Sequence, residues 1–116
     1  MTTKAETKQL AGELLRIIPI GQTMQSQHDV RMGEAYDEVF GELEGMGLEI
    51  ADDMPVEITP HFIALMAYNK MDLYSLSDSL YQRILVKVGQ DGDIAKLAIR
   101  RLLGASYANS DEPTDY

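Results

Sequence analysis

At 116 residues, with 45% apolar and 25% charged side chains, the chain has enough apolar sequence for one packed domain. The net charge of −9 argues against a basic surface for nucleic-acid phosphates or anionic lipid. The absence of cysteine excludes a disulfide framework and any thiolate metal site. The first residues carry no apolar signal stretch. No apolar run approaches the roughly 20 residues needed to cross a bilayer.

A first helix is predicted from Lys4 to about Ile18. Thr3 and Glu6 have capping-box spacing, in which each side chain satisfies a backbone donor of the other. Leu10, Leu14, Leu15, Ile17 and Ile18 supply the apolar stripe, and Pro19 with Gly21 ends the helix. After a loop over 19–25, Ser26 is the expected cap of a second helix reaching Met46. Its apolar side holds Met32, Ala35, Tyr36, Val39, Phe40, Leu43 and Met46, and Gly47 suits the left-handed position that follows a helix.

Leu48 to Ile58 reads as extended or irregular, with Pro55 and Pro60 opposing a helix and Met54, Val56 and Ile58 alternating toward the core. A third helix should start with Thr59 as cap and Pro60 as first residue, and reach about Leu73. Phe62-Ile63-Ala64-Leu65-Met66-Ala67 is apolar nearly all round, the mark of a helix buried on more than one side. A break at Ser75 to Ser77 precedes a fourth helix capped by Ser77 or Asp78 and carrying Leu80, Tyr81, Ile84, Leu85 and Val88. Gly89 to Asp93 interrupts the pattern, which resumes at Ile94, Leu97, Ala98, Ile99 and Leu102. The expectation is one long helix with a weak point, ended by Gly104. The fold class is therefore all-α: a four-helix bundle over 1–104, with a disordered or extended C-terminal tail over 105–116.

No constellation of residues carries chemistry. His28 and Asp29 precede an acidic helix, and His61 lies in a first helical turn, but the convergent ligands of a metal site are not visible. Asp91-Gly92-Asp93 fails as a calcium loop, because the position that needs a glutamate is Leu102; a turn accounts for it better. The serines lie in no nucleophile elbow, and no glycine-rich phosphate loop follows a strand. Neither an enzyme nor a bound cofactor or metal is expected.

The charge distribution is more telling. Between Asp29 and Glu57 ten acidic residues are opposed only by Arg31. Glu34, Asp37, Glu38, Glu42 and Glu44 share the face of the second helix opposite its apolar side, with Gly41 and Gly45 near the middle. Carboxylates four residues apart repel each other, and each interior glycine costs up to about 1 kcal/mol against alanine. Stability alone does not select such a face. It reads either as a solvated surface or as one kept acidic and smooth.

The order of these elements resembles a known family. An N-terminal helix, a proline/glycine turn and an amphipathic helix lead into Glu-Gly-Met-Gly-Leu-Glu-Ile, then Met-Pro-Val-Glu-Ile-Thr-Pro, a buried helix, a long last helix and a polar tail. Over roughly residues 5–104 this is similar to the head-to-tail connector (adaptor) proteins of tailed bacteriophages, including the podovirus adaptor that closes the portal and stabilises packaged DNA. The resemblance implies a virion protein, made in the host cytoplasm and placed at the head–tail interface. It implies a dodecameric ring under the portal protein, contact with a tail or nozzle protein, and DNA passing through the channel without specific binding or any membrane. Glu34, Asp37, Glu38, Glu42 and Glu44 would face the channel. Tyr107, Asn109, Asp111, Pro113 and Tyr116 would bind the portal, with the two tyrosines as anchors; some relatives have much longer tails. The rival reading is a soluble helical binding module that takes a partner helix in a methionine-lined groove.

Overall fold

The computed structural model describes residues 2–50 and 54–110, with side chains at 105–110 excepted. The order is α1 (Lys4–Leu14), α2 (Ser26–Gly45), α3 (Thr59–Lys70), α4 (Asp78–Val88) and α5 (Asp93–Ser110), with 3-10 turns at Met71–Leu73 and Gln90–Gly92. The fold is the expected all-α bundle, organised around α3, against which every other helix packs. Phe62, Ala64, Leu65, Met66 and Ala67 of α3 are all buried, as its apolar circumference requires. Met32, Ala35, Tyr36, Val39 and Leu43 face it from α2, and Leu80, Ile84 and Val88 from α4.

The capping box forms as read: Thr3 N donates to Glu6 Oε1 at 3.0 Å and Glu6 N donates to Thr3 Oγ1 at 3.2 Å. Yet α1 stops a turn earlier than its apolar stripe suggests. Arg16 adopts φ 60°, its N–H donates to Glu13 O, and the Ile17 N–H donates to Gly12 O. This pair of bonds closes a helix end in the manner of a Schellman motif, with arginine in the position that glycine favours. The same closure ends α2, where Gly47 (φ 83°) holds the expected place.

Two caps shift by one residue. Ser26 is the first residue of α2 after Gln25, whose side chain makes no capping bond. Thr59 is the first residue of α3 rather than its cap. Its hydroxyl shares a 2.9 Å hydrogen bond with that of Thr2 and lies 3.2 Å from the Pro55 carbonyl. Ser77 caps α4 as predicted, accepting from Leu80 N at 3.3 Å.

The segment before α3 does find a pairing partner: Thr2 and Met54 exchange backbone hydrogen bonds of 2.8 and 2.9 Å as an isolated antiparallel bridge. Met54 and Ile58 are buried, but Val56 turns outward because 56–58 is a turn rather than a strand.

The long final helix is not continuous. Gly89 (φ 80°), Asp91 (φ 55°) and Gly92 (φ 79°) all leave the right-handed region, so α4 and α5 become separate arms packed on each other and on α3. A Cβ on Gly92 would stand 2.8 Å from Leu65 Cδ2, and one on Gly89 would stand 2.6 Å from Ile94 Cγ1. Both positions need glycine for conformation and for space. Asp91-Gly92-Asp93 is thus a turn, as read. At the other end, Gly104 does not stop α5, which runs on to Ser110.

Candidate functional site: the outer face of the second helix

Amphipathic periodicity fixes which side of α2 looks outward, and Glu34, Asp37, Glu38, Glu42 and Glu44 are all exposed there. The structure divides these acids into two sets. Along the edges, lysines from neighbouring helices close over them. Lys4 of α1 pairs with Asp37 at 3.2 Å and Lys8 with Asp29 at 2.9 Å. Lys70 of α3 pairs with Glu38 at 3.1 Å, and Lys96 of α5 pairs with Glu42 at 2.8 Å. Glu34 and Glu44 have no ion pair among the described residues.

The pairing lysines do more than neutralise charge. Lys4 Nζ also lies 5.0 Å from the centre of the Tyr36 ring, and Lys96 Nζ donates to the Asp91 carbonyl at 3.3 Å. Glu42 Oε1 accepts from Asn69 at 3.4 Å. The acidic edges therefore help to hold α1, α3 and α5 against α2, each exposed pair contributing about 0–1 kcal/mol.

The glycines of this face have no packing partner among the described residues. A Cβ on Gly41 or Gly45 would meet nothing within 4 Å. Internal packing does not require them, and their effect is a flat backbone strip between carboxylates.

Sequence reasoning missed all four lysines, because they reach α2 from three other helices and no spacing links any of them to its acid. Of the tail residues, Tyr107 and Asn109 fall on the backbone of α5 beyond the described side chains. Asp111, Pro113 and Tyr116 lie outside the described residues.

Elsewhere, His28 and His61 stand apart. His28 Nδ1 lies 3.4 Å from the Tyr74 hydroxyl, and Arg31 stacks over that ring at 5.7 Å. Partial burial, and then the nearby Lys87 ammonium, push the His61 imidazole below its usual range. Among the described residues no group of three or more His, Asp or Glu is placed to hold a metal ion, and no helix is long and apolar enough to cross a membrane. Met32, Met54, Met66 and Met71 are buried in the core, so the methionine-lined groove of the binding-module reading is not formed by them. No protein-family model, curated protein or solved structure matches this chain.

Proposed function

We propose that the chain is a non-catalytic structural subunit that presents α2 toward a polyanion which must pass without adhering. More particularly, we infer a head-to-tail adaptor of a tailed bacteriophage, assembled as a ring under the portal at the head–tail interface of the virion. The observation that carries this reading is the outer face of α2. Among the described residues it combines Glu34 and Glu44, which have no ion pair, with two glycines that no internal contact requires. Every cation on a channel wall adds an attraction to passing phosphates, whereas carboxylates on a flat wall add none. The lysines around this face are tied to Asp37, Glu38 and Glu42, which leaves the face acidic on balance.

The test has two parts. Light scattering on the chain mixed with the portal protein of the same phage should give a large complex; a monomer indifferent to portal would return the chain to the binding-module reading. Glu34→Lys with Glu44→Lys should slow DNA ejection and reduce infectivity while leaving the fold intact. Unchanged ejection would remove the channel-wall role.

A further inference from the structure

Among the described residues, two of the exposed apolar positions are flanked by charges of opposite sign. The first is on α1. Of the stripe read as its core face, Leu15 and Ile18 are buried and Leu14 and Ile17 pack against the core, but Leu10 is 37% exposed and Ala11 takes the inward place beside it. Leu10 lines an open groove of about 410 Å³ with Ala5, Gln9, Glu6 and Glu13. The two carboxylates stand one turn to either side of Leu10. Hydrogen bonds from Thr3 fix Glu6; bonds from Gln9 (3.0 Å) and the Gly21 N–H (3.1 Å) fix Glu13. These bonds hold both below the usual carboxylate range, so the groove keeps its negative rim.

The second surface is on α5. Inward positions go to Ala95 and Ile99, while Ile94 (58% exposed) and Leu97 (46%) point outward. Arg100 and Arg101 follow Leu97 by one turn on the same side, exposed and without an ion pair among the described residues, and they outnumber the exposed Asp93 one turn before it. They differ in this from the four lysines that α2 engages. Helices α1 and α5 both pack on α3 and make at most marginal contact with each other.

We propose that these surfaces meet between copies of the chain: the Ile94–Leu97–Arg101 stripe of one molecule docks in the Leu10 groove of the next. Leucine meets leucine at the centre. In either direction of docking the arginines reach one of the two glutamates, and such forks bind carboxylates in two-point contacts. Two different patches can close reciprocally in a two-fold dimer, or, joined once, leave one free patch of each kind and propagate to a ring or a filament. The adaptor reading takes the open form, which a ladder longer than a dimer distinguishes from the closed one. A net charge of −9 opposes association in general, so an orientation with local charge complementarity is the one it penalises least. The contact deepens the adaptor reading by naming the subunit interface, and it uses no residue of α2.

The absence of native cysteine makes the test direct. Leu10→Cys and Leu97→Cys replace exposed side chains in the full chain and are oxidised under mild conditions. The double variant should give a ladder of cross-linked oligomers, and the two single variants mixed should give a heterodimer. Yields about tenfold above a Val30→Cys/Leu97→Cys control correspond to a preference of about 1.4 kcal/mol. Adding Arg100→Glu and Arg101→Glu should suppress the ladder. A ladder no stronger than the control, equally efficient cross-linking by Leu97→Cys alone, or indifference to the arginine reversals would each overturn the proposal. Portal binding is scored separately. A ladder without portal binding defeats only the adaptor reading, and portal binding without a ladder defeats only this contact.

Discussion

Arg16 occupies a left-handed position at the end of α1, a conformation that costs a non-glycine residue roughly 1–2 kcal/mol. Arg16→Gly should therefore raise stability by about 0.5–1 kcal/mol in urea unfolding, the remainder being lost to glycine's greater unfolded-state entropy. Gly92→Ala should act in the opposite sense, because it adds both left-handed strain and a Cβ 2.8 Å from Leu65 Cδ2. A loss of about 2 kcal/mol or more is expected. Gly41→Ala separates stability from function. Nothing crowds its Cβ, so the helix should gain about 0.5–1 kcal/mol. His61 gives a pH signature. Its folded-state affinity for protons is lowered, so the unfolded chain binds more protons near and below pH 6.5. Stability should be fully present above that value and fall as pH drops through the folded pKa; His61→Gln should flatten this slope in urea midpoints measured from pH 7.5 to 5.

At the scale of elements, the bundle is held by α3 and fastened at its ends. The bridge between Thr2 and Met54, with the Thr2–Thr59 hydrogen bond beside it, ties the N-terminus to the start of α3. Thr59→Val removes a buried hydroxyl and strands that of Thr2, at a cost of about 1–3 kcal/mol. Sequence periodicity showed α2 and α3 well, because one has a clean apolar arc and the other is apolar all round. It placed the end of α1 and the inward face of α5 poorly. Leu10, Ile94 and Leu97 fit a helical stripe as well as their buried neighbours do. Only the position of α3 determines that Ala11, Ala95 and Ile99 turn inward. A small residue admits close approach of two helices, and hydrophobicity alone does not register that.

At the scale of the molecule, charge is segregated: acids crowd α2, its lysine partners arrive from three other helices, and two arginines without an ion pair among the described residues stand on α5. Reversing Glu34 and Glu44 should leave the urea midpoint nearly unchanged, because neither is in an ion pair among the described residues. Glu42→Lys should lower it by up to about 1 kcal/mol by opposing Lys96. Comparing these variants in an ejection assay separates a channel role from a loss of stability. A double variant that lost stability as Glu42→Lys does would show instead that the outer acids contribute to the fold.

The sequence by itself determined where the helices lie, the capping box at Thr3, a cap at Ser77 or Asp78, a weak point at Gly89–Asp93 and the acidic side of α2. These follow from local backbone preference and from periodicity along one element. Tertiary structure alone decided which acids are paired, that the last helix breaks into two arms, and which leucines and isoleucines stay exposed. Those outcomes depend on distances between segments far apart in the chain, such as the 2.8 Å between Lys96 and Glu42, which no local pattern encodes.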